Sequence, residues 1–288
     1  SRRPAGTDNP RLATGEIEVL ADALAVLNTS ETPPFYINED TEVDENLRLK
    51  YRYLDLRRER MRHNIMLRHH LVSKIRRFFD ERGFIDVETP ILGKSTPEGA
   101  RDYLVPSRVH PGKFYALPQS PQQMKQLLMV GGLEKYYQIA KCFRDEDTRA
   151  DRQPEFTQLD VEMSFITEDD IMTLTEEMFT SLTVELRPDV RMIKPFPRLS
   201  YREAMAKYGC DKPDIRFGME MGDVSDIVAS SEFAVFSQTV AQGGVVRGIA
   251  LPGCAGYSRG ELAELTSLAQ SFGAKGLLSM ALTGGCPL

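Results

Sequence analysis

Hydrophobic residues in the first part of the chain recur with the spacing of a long helix. Between positions 59 and 82 they are three and four residues apart, as on one face of an α-helix: Leu67, Leu71, Ile75 and Phe78. Gly83 supplies the end of this helix, and residues 84–92 then alternate as a strand that Pro90 confines to an edge or a break. A shorter helix is predicted over 120–132, from a serine cap to two glycines.

Two strands are predicted on either side of a polar loop between Phe143 and Phe156. Side chains of a strand alternate between two faces. The mainly apolar face carries Tyr137, Ile139, Lys141, Phe143, Thr157, Leu159, Val161, Met163 and Phe165. The polar face carries Gln138, Ala140, Cys142, Arg144, Phe156, Gln158, Asp160 and Glu162. If the apolar face packs on helices, the polar face suits the floor of a ligand site, although a solvent-facing sheet is the alternative.

The remaining segments complete the predicted elements of the first part of the chain. Residues 15–28 predict a strand with a following turn, and 33–45, rich in proline and acidic residues, predict a connector. A helix follows residue 165. Ser200 and Glu203 form a predicted capping box for another helix, which Gly209 ends.

The pattern of predicted secondary structure changes beyond residues 209–214. The runs EFAVF and VVRGIAL predict two strands, 258–272 a capped helix, and 276–282 a further strand. This β-β-α-β series predicts a separate small α+β module.

Composition narrows the class of protein. Hydrophobic residues make up 41% and charged residues 27%, as in globular domains. No run approaches the roughly 18 apolar residues of a membrane span, and the first residues carry no visible secretory signal. The four cysteines lie far apart, which favours a reduced, cytoplasmic-type compartment.

The net charge of −6 argues against a protein that simply coats nucleic acid, but the charge is unevenly spread. Segment 48–82 has twelve Lys or Arg against four Asp or Glu, a local charge of +8, so the rest carries −14. A basic stripe of this kind can steer a polyanion to one face. A solvated helix with salt-bridged sides accounts for it equally well.

Familiar catalytic motifs are absent: there is no GxxxxGK[ST], GxGxxG, HExxH or GxSxG. The four histidines form no ligand constellation, so no metal site is predicted from the residues. A phosphate would have to be held by arginines, and Arg144 and Arg152 stand at the two ends of the polar loop. Phe156 offers a ring for a base. The groups that could select a small zwitterion are Glu98, Lys125 and Asp160.

A resemblance makes this reading specific. FRDEDTRADRQPEFTQLDVEMSF at 143–165 resembles motif 2 of class II aminoacyl-tRNA synthetases, in the wording of the aspartyl-tRNA synthetases of bacterial or organellar type. RGFIDVETPIL at 82–92 resembles motif 1. Residues 96–129 resemble the family's mobile loop and amino-acid pocket, and 209–276 its bacterial-type insertion domain. The pair Arg152–Gln153 replaces the Arg-His of the lysine and asparagine relatives, which favours aspartate.

The resemblance implies a role for each matched residue. Arg144 would bind the α-phosphate of ATP, and Phe156 would stack on adenine. Further ATP contacts would be Asp145, Glu146 and Gln153. The aspartate pocket would be lined by Glu98, Ser120, Gln122, Lys125, Arg144 and Asp160. Lys125 would pair with the side-chain carboxylate of aspartate and Asp160 with its ammonium group. Contacts to the acceptor end of tRNA would come from Asp147, Arg149 and Arg152, and Pro90 would lie at the dimer interface.

The activity implied by the resemblance is that of an aspartate–tRNA ligase, which uses ATP to form aspartyl-adenylate and transfers aspartate to the 3′ end of tRNA. ATP is a substrate and Mg²⁺ a cofactor. The partners are the aspartate tRNA, with the asparagine tRNA left open, and a second copy of the chain through motif 1. The expected location is the cytoplasm or an organellar matrix, away from membranes. Two alternatives stay open: a non-catalytic paralog that binds tRNA or adenylate, and an ammonia-dependent asparagine-forming ligase on the same core.

The implied fold class is α+β, with the antiparallel sheet of class II synthetases flanked by helices. Residues 1–45 would be a remnant of an N-terminal OB β-barrel and a hinge, 46–208 the catalytic core, and 209–288 part of an α+β insertion domain. No stretch matches motif 3, which is expected to hold the Mg²⁺ ligands. We therefore expect this chain alone to have little aminoacylation activity.

Overall fold

A computed structural model of the chain describes residues 1–10, 12–38, 41–148 and 151–281. The chain divides into two compact units, residues 1–192 and 193–288. Helices and short sheets occur in both, which confirms the predicted α+β class. No helix within the described ranges is both long and apolar enough to cross a membrane.

The first unit contains five helices and five strands within its described residues. The helices are α1 (Glu45–Lys50), α2 (Arg52–Asp55), α3 (Glu59–Asp80), α4 (Gln122–Val130) and α5 (Glu168–Leu186). The strands are β1 (Ile85–Asp86), β2 (Leu104–Pro106), β3 (Phe114–Ala116), β4 (Lys135–Phe143) and β5 (Glu155–Met163). The predicted helices over 59–82 and 120–132, and the helix after residue 165, are therefore confirmed.

The central sheet has the strand order β1-β4-β5, and a separate hairpin joins β2 to β3. Strand β1 runs parallel to β4, whereas β4 and β5 are antiparallel along their whole length. Tyr137 lies opposite Val161, and Gln138 lies opposite Asp160. This register puts the apolar positions of both strands on one face and the polar positions on the other, as their alternation predicts.

Helices α3 and α5 cover the apolar face of the sheet. The buried core comprises Ile75, Phe78, Phe79, Phe84, Tyr137, Met178 and Leu182. Leu159 and Val161 of β5 pack against it. The rings of Phe79 and Tyr137 stack with centroids 5.1 Å apart, an arrangement worth about 0.5–1.5 kcal/mol beyond their burial. The predicted packing of this face on helices is confirmed.

Two strand predictions in the first unit are wrong. Residues 15–28 contain the end of a turn at 15–16 and an isolated bridge between Ile17 and Arg2, and the rest of the segment is irregular, with no strand. Val19 and Leu27 are 90% and 97% exposed there, and a strand needs a hydrogen-bonded neighbour that the described residues do not provide. The strand expected over 84–92 shortens to Ile85–Asp86, because only these two residues pair with β4.

The helices and strands of the second unit are mostly short. It contains α6 (Tyr201–Tyr208), a 3₁₀ turn (Ile215–Phe217), β6 (Met221–Asp223), α7 (Ser225–Val228), α8 (Ala234–Ala241), β7 (Arg247–Ile249) and α9 (Arg259–Ser271). The capping box of Ser200 and Glu203 begins α6, and Gly209 ends it with φ of +72°, both as predicted. Ser258 likewise caps α9. Strands β6 and β7 form an antiparallel pair.

The predicted β-β-α-β order of this unit is wrong in two places. The run EFAVF enters α8, where Phe233 and Phe236 are three residues apart and their rings meet at 5.1 Å. A short apolar run fits a helix and a strand equally well, so local pattern did not decide between them. Residues 276–281 form no strand, and Leu278 and Met280 are 58% and 82% exposed. Leu282, the last residue of that prediction, lies outside the described residues.

Candidate functional site

Helix α4 lies against the polar face of the β4–β5 hairpin and brings a lysine to two carboxylates. Lys125 Nζ is 3.1 Å from Asp160 Oδ1 and 3.1 Å from Glu162 Oε2. Lys125 is 9% exposed and Asp160 only 4%. A buried charge is tolerated only when it is paired and hydrogen-bonded, so this cluster is held by its own complementarity.

The two central members respond differently to burial. Burial opposes the charge of Lys125, but its hydrogen bonds to Asp160 and Glu162 outweigh that effect and raise the pKa of the ammonium above 10.5. Burial raises the pKa of Asp160 above 3.8, and the hydrogen bond and charge of Lys125 offset this only in part. The site therefore favours the charged form of Lys125, whereas burial disfavours the ionised form of Asp160.

The two carboxylate oxygens of Asp160 differ in their hydrogen bonding to the described residues. Its Oδ1 accepts from Lys125 Nζ and from Gln158 Nε2, each at 3.1 Å. Its Oδ2 is buried and has no hydrogen-bond partner among the described residues. A buried, unpaired carboxylate oxygen is costly, so it is an acceptor suited to a ligand N–H group.

The segment before β2 places a third carboxylate, that of Glu98, at the N-terminus of α4. Ser120 Oγ donates to Glu98 Oε2 at 2.7 Å, and Thr96 Oγ1 donates to Glu98 Oε1 at 2.9 Å. The same Ser120 oxygen accepts from the backbone N–H of Gln122 at 3.1 Å. The N-cap of α4 is Pro121 and not the predicted Ser120, which lies one residue earlier. Ser120 nevertheless bonds the first N–H of the helix and orients Glu98, which brings these two predicted pocket residues together.

At the far end of the hairpin, Arg144 and Phe156 lie on the same side, as the alternation predicts. The guanidinium carbon of Arg144 is 5.0 Å from the centre of the Phe156 ring, within the range of a cation–π contact. The backbone N–H of Arg144 donates to Pro154 O at 2.9 Å, and that of Asp145 donates to Arg101 O at 2.9 Å. These bonds fix the point where the hairpin opens into its loop.

Cys142 is a fully buried residue on the polar face of the hairpin. It pairs in register with Phe156. Burial and, to a smaller extent, the charges of Asp160 and Glu98 raise the pKa of its thiol to about 11, against the opposing charge of Arg144. The thiol is therefore protonated at neutral pH.

The alternative of a solvent-facing sheet is wrong for the centre of this face. Gln138, Cys142 and Asp160 are buried there, at 8%, 0% and 4% exposure. The open part of the face lies toward the hairpin loop, where Arg144 and Phe156 are half-buried.

The loop residues predicted to contact nucleotide and tRNA are exposed. Arg152 lies 3.9 Å from Glu146 in a loose ion pair across the loop, and both side chains are in solvent. Asp147 and Gln153 are also exposed, and Arg149 lies outside the described residues. Pro90 is exposed beyond the end of β1, in an irregular segment.

Two residues of the site were given no specific role by the sequence, although Glu162 was predicted to lie on the polar face. Glu162 is the second partner of Lys125, and its signal was its position two residues after Asp160 on the same strand face. Gln119 is 2% exposed and holds the segment that carries Glu98. Nothing in the alternation of polar residues distinguished it, because its role depends on a backbone nineteen residues away.

The described residues contain no group of three or more His, Cys, Asp or Glu side chains placed to hold a metal ion.

Comparison with known proteins places the chain in a family. Residues 44–244 match the family described as tRNA synthetases class II (D, K and N), and residues 236–286 match the GAD domain family. The chain belongs to the class II tRNA synthetases of the aspartate, lysine and asparagine group.

The curated relatives make the likeness more particular. The chain is 62% identical over 282 residues to the Aspartate–tRNA(Asp/Asn) ligase of Dehalococcoides mccartyi, covering 98% of this chain and 47% of the relative. It is 62% identical to the ligase of the same name from Moorella thermoacetica and 60% identical to that from Rubrobacter xylanophilus, with the same coverage. The chain thus spans about half the length of the curated relatives it matches.

Proposed function

We propose that the protein containing this chain is an aspartate–tRNA ligase, which joins L-aspartate to ATP as aspartyl-adenylate and transfers it to the 3′ end of tRNA. The observation that carries the proposal is the buried cluster of Lys125, Asp160 and Glu162 with its spare carboxylate oxygen. Family membership and the names of the relatives support it.

The charges of the cluster match the charges of free aspartate. The ammonium group of aspartate donates to Asp160 Oδ2 and pairs with Glu98, while its side-chain carboxylate approaches Lys125. Lys125 keeps Glu162 as a partner when it turns toward the ligand. The side-chain amide of asparagine is neutral and offers Lys125 no counter-charge. A site whose buried polar groups are paired only by the correct substrate discriminates strongly against such an analogue.

Arg144 and Phe156 serve the nucleotide. An oxygen of the aspartate α-carboxylate attacks the α-phosphorus of ATP; a new O–P bond forms, the bond to the β-phosphate breaks, and pyrophosphate leaves. The Arg144 guanidinium stabilises the negative charge that grows on the phosphoryl oxygens. Adenine stacks on Phe156, which is already in contact with Arg144. Asp145, Glu146 and Gln153 contribute further nucleotide contacts.

The second step needs little help from the protein. The terminal ribose hydroxyl of tRNA attacks the carbonyl carbon of the mixed anhydride and an ester bond forms. AMP departs with the bonding electrons, and its phosphate takes up the proton that the hydroxyl loses. Because the anhydride is a good acyl donor, positioning accounts for most of the catalysis. No protein nucleophile is required, which agrees with the absence of serine- or cysteine-hydrolase motifs.

The partners follow from the same assignment. Asp147, Arg149 and Arg152 contact the acceptor end of tRNA, and the relatives' names suggest that the asparagine tRNA is charged as well. The segment at Pro90 forms a dimer interface with a second copy. Mg²⁺ assists the full-length enzyme. The enzyme acts in the cytoplasm.

The domain assignment forms part of the proposal. Residues 1–45 belong to an OB domain and hinge, 46–208 to the catalytic core, and 209–288 to the insertion domain. The match to the GAD domain family over 236–286 supports the last of these. The two compact units divide earlier, after residue 192.

The test is ATP–pyrophosphate exchange by the full-length protein. We expect exchange with aspartate and at least about 100-fold less with asparagine, since Lys125 would face a neutral amide. Lys125→Ala should raise the KM for aspartate far more than that for ATP. Absence of aspartate-dependent exchange would support the non-catalytic paralog, and asparagine release with ammonia but no charging of tRNA would support the asparagine-forming ligase. Charging of both purified tRNAs tests the wider substrate range.

A further inference from the structure

Gln119 is a buried side chain that grips one residue of a neighbouring loop. It is 2% exposed and stands between β3 and α4, directly before Ser120. Its Oε1 accepts from the backbone N–H of Ala100 at 3.0 Å, and its Nε2 donates to the carbonyl oxygen of Ala100 at 2.9 Å. The amide therefore occupies both backbone groups of a single residue, as a paired strand would do.

A carboxylate extends this contact. Gln119 Nε2 also donates to Asp102 Oδ1, and Asp102 Oδ2 accepts from Ser95 Oγ at 2.5 Å. The hydroxyl of Ser95, and then the amide of Gln119, lower the pKa of Asp102, so the carboxylate stays ionised at neutral pH. The loop 95–102 is thereby closed on itself by one pair and tied to Gln119 by another.

Glu98 lies inside the loop that these bonds hold. Its carboxylate meets Ser120, the residue after Gln119, while the backbone two residues beyond Glu98 is held by Gln119 itself. Two consecutive residues thus fix the loop at two points, one through the backbone and one through the carboxylate. Without the backbone contact, only the hydroxyls of Ser120 and Thr96 would orient Glu98.

We propose that Gln119 is a positioning residue that sets Glu98 in place for the ammonium group of the amino-acid substrate before that substrate binds. This inference rests on the proposed function. A glutamine suits the task because one amide can donate and accept at the same time. A carboxylate in its place keeps the acceptor for Ala100 N–H but loses the donor, and it adds a negative charge beside Asp102.

The test compares Gln119→Met with Gln123→Met in the full-length protein. Methionine fills the space of glutamine without its hydrogen bonds, and Gln123 is an exposed residue on α4. Gln119→Met removes the two hydrogen bonds to Ala100 and the one to Asp102, and it should raise the KM for aspartate about tenfold in pyrophosphate exchange. The KM for ATP should stay within about twofold. Gln123→Met should change neither constant.

A further measurement separates positioning of the loop from general stability of the protein. Amide hydrogen exchange at Ala100, measured without substrate, should quicken in Gln119→Met and not in Gln123→Met. If Gln119→Met does not fold, Gln119→Glu replaces it, with the same expected rise in the aspartate KM. An unchanged aspartate KM, or equal rises for aspartate and ATP, would overturn the inference. A wild-type protein without aspartate-dependent exchange would instead overturn the proposed function, and the role of Glu98 with it.

Discussion

The two faces of the β4–β5 hairpin are both largely buried, but by opposite means. Hydrophobic side chains of α3 and α5 cover one face, with Phe79 stacked on Tyr137. An ammonium and two carboxylates meet on the other, where Lys125 of α4 reaches Asp160. The first face gains free energy from burial, about 25 cal/mol per Å² of apolar surface. On the second face, burial removes water from the charged groups, and only their pairing offsets the free energy that this costs.

This difference separates a stabilising face from a binding face. Burial raises the pKa of Asp160, so the folded chain holds its ionised form at a disadvantage, and one oxygen has no partner among the described residues. On the apolar face even the polar atom is satisfied, because Tyr137 Oη donates to Asp80 Oδ1 at 2.8 Å. Features that weaken a fold while offering a directed acceptor are typical of functional sites.

The largest expected effect comes from the apolar face. Phe79→Ala in the full-length protein should lower the free energy of unfolding by about 3–5 kcal/mol, because the ring is 2% exposed and leaves a cavity. Denaturant unfolding measures this. Phe179→Ala, at a half-exposed ring on α5, is the matched control and should cost far less. A rise of the aspartate KM in the folded Phe79→Ala protein would break the division between the faces.

The next effect belongs to the nucleotide end of the polar face. Arg144→Ala should reduce the rate of adenylate formation by about 10²–10³-fold, the loss expected for one preorganised donor to a developing charge. Single-turnover pyrophosphate release measures it, and the unfolding free energy should hardly change. Arg187→Ala removes an exposed arginine paired with Asp189 and should leave the rate as in the wild type. A similar slowing in both variants would remove Arg144 from the reaction.

The smallest effect is a pH dependence set by Asp160. Its pKa is raised above 3.8 by burial, so its ionised form is lost at a higher pH than for an ordinary aspartate. We expect kcat/KM for aspartate to fall with decreasing pH through an inflection above that value. Because the folded chain binds this proton more tightly than the unfolded chain, protonation of Asp160 by itself favours folding, so the loss of activity caused by this group should not arise from unfolding.

The control for this pH profile is Asp160→Asn, whose lower kcat/KM for aspartate should lack the inflection. The same inflection in the variant would assign it to another group, such as the carboxyls of the substrate.

Period-two alternation was sufficient to predict the hairpin and both of its faces, including the side shared by Arg144 and Phe156. The alternation failed to predict the structure of segments whose secondary structure depends on contacts with other parts of the chain. Residues 15–28 alternate but have no strand to pair with in the described part of the chain, and EFAVF lies in a helix. In both segments the local pattern was compatible with more than one structure.

The sequence by itself determined the long helices, the strand faces and the identity of most charged residues in the site, because periodicity and caps are local properties. Only the tertiary structure decided that Lys125 pairs with Asp160 and Glu162, and that Asp160 retains an unpaired oxygen among the described residues. It alone decided that Gln119 holds Ala100. The physical reason is that these contacts join residues nineteen or more positions apart, and their free energies depend on burial that no local pattern specifies.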